Sequence, residues 1–311
     1  MRMGKAWLYF VFFLACMPLA SACVPTQVTS ALDQPMDSRM TGEGRIDVTP
    51  ARLVAPGPLK PLVQLQTDLE IVTAAGYSRV CLFDLEAIRD YPDPGYVPLL
   101  KAYANRDLDI TVYVQKVEAN QETLDLVWAI GASRVILYEV DLLNLFQAAG
   151  VKTDWWSGVA YSYNHLKRPQ YLGWPDLRGE QMRQELADWA MQMPPITGGL
   201  SLDYIRWNKV GDGRTAGQVT DLVQKIRHNW DAAGQGSLSA AVYPYLGASP
   251  NYGGALSVGQ AWDEWLDDGL LDWVYPMAYD SEHLGSYIKE WAGYDTSKIV
   301  PCLSVINFQS G

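Results

Sequence analysis

Two carboxylates each close an apolar run in the company of aromatic and cationic side chains. One is Asp203, in Gly198-Gly-Leu-Ser-Leu-Asp-Tyr-Ile-Arg-Trp207; the other is Asp280, in Leu271-Asp-Trp-Val-Tyr-Pro-Met-Ala-Tyr-Asp280. A carboxylate on an otherwise apolar strand must be solvated, paired or hydrogen-bonded, because burying an isolated charge is prohibitive. At a strand's end it can face a cleft instead. An acid and a base on either side of an acetal are the minimum equipment for cleaving a glycosidic bond. Asp203 is therefore the first catalytic candidate, as general acid or acid/base, with a structural pairing to Arg206 as the alternative. A guanidinium close to it would lower its pKa and favour a base or nucleophile. Asp280 is the leading second carboxylate, with helix capping as the alternative, since Asp280-Ser-Glu-His283 is a good helix entry. Glu139 follows as a further catalytic candidate, and Asp84 closes a similar run. Tyr204, Trp207, Tyr243 and Tyr279 stand at or just beyond strand ends, where flat amphipathic rings stack on a pyranose and offer a polar tip. With Arg206 and Asp84 they make up the expected substrate-binding set.

The elements that would hold these residues alternate. Short β-branched and aromatic runs at 78–84, 109–115, 133–139, 199–205, 237–243, 271–278 and 298–305 are separated by helical patterns, as in a parallel sheet with crossover helices. One helix carries Val219, Leu222, Val223, Ile226 and Trp230 on a single face, and another Val258, Ala261, Trp262, Trp265 and Leu266. Gly76-Tyr-Ser-Arg-Val-Cys-Leu-Phe-Asp-Leu-Glu86 is echoed by Gly131-Ala-Ser-Arg-Val-Ile-Leu-Tyr-Glu-Val-Asp141, which sets Asp84 against Glu139. Repeated β/α units predict an α/β fold of the TIM-type (β/α)8 barrel kind, with catalytic residues at the C-terminal ends of its strands. Seven strands are read directly; an eighth would come from 45–54 or from sequence beyond residue 311. Trp155, Trp156 and Trp174, in the long stretch before residue 180, are candidates for outer sugar subsites.

From the helix at 180–193 through Asp203-Tyr-Ile-Arg206 and Ser237-Leu-Ser-Ala-Ala-Val-Tyr-Pro-Tyr245 to Pro276-Met-Ala-Tyr-Asp280, the chain resembles the bacterial glycosyl-hydrolase-like family 10 proteins. The resemblance spans roughly residues 170–280 and rests on two motifs in the family's order. It implies a TIM-barrel glycosidase, often exported, with Asp203 at the end of one motif strand and Tyr279 at the end of the other. Met277-Ala-Tyr-Asp280 is also similar to a strand of the family 18 chitinases. That family requires several spaced carboxylates ending in Glu, whereas Ser201-Leu-Asp-Tyr204 offers one, so chitinase chemistry is disfavoured. Many retaining barrel glycosidases take a nucleophile from the seventh strand, and 298–308 holds no carboxylate. That gap keeps a second reading open, a non-catalytic carbohydrate-binding envelope lipoprotein on a degenerate barrel. An aldolase or isomerase lacks a convincing Schiff-base lysine, although Lys116 lies near a strand end.

The first 22 residues read as an export signal: Arg2 and Lys5, an apolar run, then Ala20-Ser-Ala22 before Cys23. Cys23 is the expected first residue of the mature chain and a lipidation candidate, with Ala20 where a lipobox usually has leucine. Residues 23–44 read as a flexible tether, and residues 45–311 as one barrel domain. Losing Arg2 and Lys5 takes the net charge from −11 to −13. That field excludes nucleic acid as a partner. The expected partner is a polysaccharide or oligosaccharide, with membrane association only through the anchor, and no cofactor or metal is expected. Cys81 and Cys302 are expected as two separate buried thiols.

Overall fold

We describe a computed structural model over residues 59–307, leaving out 91–92, 115–120, 161–173, 195, 197, 235 and 248–253. The leader, Cys23, the tether, residues 45–54 and Lys116 lie outside the described residues. The chain begins with α1 (Leu62–Ala74) and β1 (Arg79–Phe83), followed by α2 (Leu85–Asp90) and α3 (Tyr96–Ala104). Next come β2 (Asp109–Val114), α4 (Gln121–Ile130), β3 (Arg134–Leu137), α5 (Val140–Ala148) and β4 (Lys152–Gly158). The second half runs α6 (Glu180–Ala190), β5 (Leu200–Asp203), α7 (Ala216–Ala232), β6 (Leu238–Val242) and α8 (Trp262–Asp267). It closes with β7 (Trp273–Pro276), α9 (Leu284–Trp291) and β8 (Cys302–Ser304).

The eight strands are parallel and hydrogen-bonded in chain order, with β8 returning to β1. Bridges Val274↔Ile299 and Met277↔Cys302 bring β8 alongside β7 as well, so the sheet curls into a TIM-type barrel. Strand alternation sorts side chains into two shells. Val80, Leu82, Ile110, Val112, Val135 and Leu137 point outward into the layer shared with the helices. Cys81, Tyr113, Ile136, Trp156, Tyr275 and Cys302 point inward and fill the barrel. Among the described residues no helix is long and apolar enough to cross a membrane.

Among the described residues the strand not read from the sequence is β4, inside the chain, and with it the sheet has eight. Lys152-Thr-Asp-Trp-Trp-Ser-Gly158 contains Asp and Gly, both poor strand formers. Asp154 is tolerated there because it is fully buried against Arg134 and accepts the Gly199 N–H at 2.7 Å. Close approach accounts for the Gly198-Gly199 pair ahead of β5: a side chain at 198 would run into the Asp154 carboxylate and the Thr153 carbonyl, and one at 199 into Ser237. Arg79 and Arg134 lie over the Trp273 ring at 4.3 and 5.3 Å and plug the end opposite the strand C-termini.

No helix follows β8 among the described residues, yet its outer face is covered, because α1 packs beside α9. Lys60, buried, pairs with the buried Asp68 at 2.9 Å, and Ser281 donates to the same carboxylate at 2.6 Å. The Tyr96 hydroxyl donates to the Lys60 carbonyl from the start of α3. The first helix thus occupies the place in the outer ring that a helix after β8 would take.

Candidate active site

The C-terminal ends of the strands gather most of the candidate residues at one mouth. Asp203, the last residue of β5, is half-buried. Its Oδ1 accepts the Tyr204 N–H at 2.6 Å and its Oδ2 accepts the Trp156 Nε1–H at 3.1 Å. The register places Gly158 beside Asp203, so the β4 side chain that reaches the carboxylate is that of Trp156, two residues earlier. Burial pushes the carboxyl above its ordinary range, against the Tyr204 N–H, the nearby Arg206 charge and the Trp156 donor. A carboxyl so placed keeps its proton to higher pH, as a general acid must.

Beside it lies an aromatic floor. Trp156 meets Tyr138 at 5.5 Å and Tyr113 edge-on at 6.3 Å; Phe83 lies 5.2 Å from Tyr113 and stacks on Tyr279 at 4.9 Å. Asp84 follows Phe83 directly, in left-handed backbone with φ 66°. Non-glycine residues held there concentrate at functional sites, and Asp tolerates the conformation better than most. Burial raises the Tyr279 phenol well above its ordinary value, and the charges of Cys302, Asp203, Cys81 and Asp84 act in the same direction. Tyr279 therefore stays protonated as a donor close to two carboxylates. Cys81 and Cys302 are register partners on β1 and β8 and are two free, buried thiols, as expected from the sequence. Burial and then Cys81 push the Cys302 thiol up, away from the reactive thiolate.

On the other side of Asp203, three rings enclose Arg206. Its guanidinium carbon is 4.8 Å from the centroid of Trp174, 5.0 Å from Tyr243 and 5.3 Å from Tyr204. The structural pairing of Asp203 with Arg206 is thus replaced by a longer-range attraction. Trp207 does not line the mouth: it is 3 % exposed, donates its Nε1–H to the Thr215 carbonyl at 3.0 Å and packs into the core. The alternation along the chain after β5 turns it inward, so it holds the loop instead of a sugar. Trp156 is likewise an inner barrel residue, and Trp155 packs against the helix layer, so neither forms an outer subsite.

Asp280 follows β7, two strands round from Asp203, with both oxygens engaged locally. Oδ1 accepts the Glu282 N–H at 2.9 Å and Oδ2 meets His283 Nδ1 at 2.6 Å, at the entry to α9. This is the helix-entry role that Asp-Ser-Glu-His also allows. Glu139 is exposed at the N-cap position of α5, and among the described residues no contact ties it to Asp203.

No family model matches the chain, and no curated protein matches it. Solved structures similar to it include 7,8-dihydropteroate synthase from Vibrio fischeri ES114, at 16 % identity and a TM-score of 0.36 over 78 % of this chain and 82 % of that one. Phosphoribosylanthranilate isomerase from Thermotoga maritima gives 12 % and 0.39 over 74 % and 94 %. The arginine decarboxylase of Paramecium bursaria Chlorella virus gives 10 % and 0.31 over 78 % and 62 %. Likenesses this distant carry no statement about reaction or substrate.

Trp156 and Trp174, expected from the sequence only as outer sugar subsites, stand against Asp203 and Arg206 instead. Trp156 donates to Asp203 from the strand that was not recognised, and Trp174 closes the ring around Arg206 from a segment without periodicity. Trp156→Phe separates the hydrogen bond from the ring. The lost N–H favoured the ionised form, so the Asp203 pKa rises further and the alkaline limb of the pH–rate profile moves to higher pH. A limb that stays in place or moves down in W156F would show that this donor does not act on the titrating group.

Proposed function

We propose that the chain is an exported glycoside hydrolase of the glycosyl-hydrolase-like family 10 kind. The observation that carries the reading is Asp203: a half-buried carboxyl with a raised pKa, fixed by two N–H donors at the C-terminal end of a barrel strand. Protonated Asp203 gives its proton to the glycosidic oxygen as the bond to the anomeric carbon breaks, and the electron pair of that bond stays on the oxygen. Asp84 is the second carboxylate in this proposal. It shares Tyr279 with Asp203, whereas the oxygens of Asp280 are occupied in their turn. Asp84 takes a proton from the water whose oxygen bonds to the anomeric carbon. If its own oxygen forms that bond instead, the product anomer is retained where water attack inverts it. Tyr279, Phe83 and Tyr113 supply the flat surface against which a pyranose packs.

Export rests on the leader-like residues 1–22, and lipid anchoring on Cys23. The mass of the mature N-terminus reads both: an unprocessed Met1 overturns export, and an unmodified Cys23 overturns the anchor. The catalytic proposal is tested by incubating the purified chain with a panel of neutral and carboxylated polysaccharides and assaying new reducing ends. Cleavage of at least one member is expected. Binding without cleavage on every member supports instead the non-catalytic carbohydrate-binding protein, a reading favoured by the lack of any carboxylate between 298 and 307.

A further inference from the structure

Arg206 is a cation held without an anion. It is half-buried between Trp174, Tyr204 and Tyr243, and among the described residues no carboxylate pairs with its guanidinium and no acceptor receives its N–H groups. Aromatic rings attract a guanidinium through its charge but leave its in-plane donors unused. Those donors form a fork that matches a planar oxyanion with two parallel hydrogen bonds. None of the Arg206 nitrogens is among the fully buried polar atoms, so the donors open to the mouth, where an oxyanion can take the place of water. Asp203 sits close enough to feel the charge but makes no ion pair with it. The chain as a whole is negative, at −11, so an incoming acidic group is repelled everywhere except at such a local cation.

We propose that Arg206 receives a carboxylate of the substrate, which makes the substrate class a carboxylated glycan. The word substrate rests on the hydrolase reading; the carboxylate site itself does not. The shared chemistry is a sugar-borne carboxylate, and it has two sources, the C6 carboxylate of a hexuronate and the lactyl carboxylate of an N-acetylmuramic residue. In either case the bidentate contact fixes one sugar ring beside Asp203 and selects against the neutral analogue. A site built to hydrogen-bond a group rejects ligands lacking it far more strongly than an apolar pocket rejects a missing methylene.

The test uses the D203N chain, which holds ligand without turning it over, in titration calorimetry against three probes. These are a hexuronate oligosaccharide, its carboxyl-reduced neutral counterpart, and an oligosaccharide containing N-acetylmuramic acid. One acidic probe is expected to bind about 100-fold tighter than the reduced one, and the probe that does so identifies the source. Adding Arg206→Gln should bring acidic and reduced probes level, while Arg206→Lys, which keeps the charge but not the fork, retains part of the preference. A merely structural arginine would lower the melting temperature of R206Q without separating acidic from neutral ligand. Equal affinity for the hexuronate and its reduced form, with no tighter binding of the muramic probe, overturns the proposal, and it needs no arginine variant to fold. Hydrolysis is scored apart, on the wild-type chain: neutral glycans cut while acidic ones are ignored would sink the Arg206 site alone. Acidic glycans bound through Arg206 but never cut would sink the hydrolase alone.

Discussion

Asp203→Asn is expected to lower kcat on any glycan the protein cleaves by about 1,000-fold, within the range a positioned general acid contributes. The amide keeps the shape of the carboxyl but has no proton to give to the leaving oxygen. The wild-type chain should lose activity as pH rises through the raised Asp203 pKa, and this alkaline limb should be missing from whatever residual rate D203N shows. The stability of D203N should not follow its rate down. A group whose folded pKa lies above its unfolded value contributes stability that is fully present below the unfolded pKa and is lost as pH rises through the folded one. Burial raises the Asp203 pKa, so at neutral pH the carboxyl weakens the fold relative to a neutral isostere, and below the ordinary carboxylate range that penalty vanishes. D203N removes that charge penalty but turns one of the two N–H acceptors into a donor, so it should unfold close to the wild-type urea midpoint at pH 7. The pairing of a lost rate with an intact fold distinguishes a catalytic carboxyl from a structural one. Wild-type-like turnover in D203N would end the assignment, and a large loss of stability would move Asp203 into the scaffold.

Asp154→Ala is expected to have the largest effect on stability, about 3–5 kcal/mol, the range for removing one partner of a buried ion pair. Asp154 is fully buried, and its loss leaves the Arg134 guanidinium without its anion and the Gly199 N–H without its acceptor. Three consecutive strands, β3, β4 and β5, meet at that carboxylate, so the damage should spread along the sheet. Urea denaturation of D154A reads it directly, and a change below about 1 kcal/mol would place the cohesion of this end elsewhere, in the Arg79 and Arg134 contacts with Trp273.

Much of the barrel could be read from the chain because its strands are buried on both faces and therefore nearly continuous in apolar residues. The observed 79–83, 109–114, 134–137, 200–203, 238–242 and 273–276 all fall inside the stretches read from the sequence. β4 escaped because two of its inward positions carry Asp154 and Trp156 for reasons that lie on other strands: an arginine on β3 and a carboxylate on β5. A local signal for it does exist. Ala-Ala-Gly occurs at 74–76, 148–150 and 232–234, and each time it ends a helix with the glycine at positive φ, just ahead of a strand. Gly150, with φ 74°, is the copy before β4. The site was legible as a set of strand ends but not as a set of contacts. That Asp280 spends its oxygens on its own turn, that Trp207 faces inward and that Arg206 rests among rings depend on loop paths that no periodicity encodes.

The ring of strands is sealed by the first and last of the described segments. Leu59 bridges to Ile306, the Lys60 N–H donates to the Val305 carbonyl at 2.9 Å, and β1 pairs with β8. During synthesis, then, β1 waits with one raw edge until β8, seven strands later, has emerged. Such edges are adhesive toward foreign strands. Closing the circle only when β8 arrives leaves the nascent molecule open to aggregation and to chaperone capture for that whole interval.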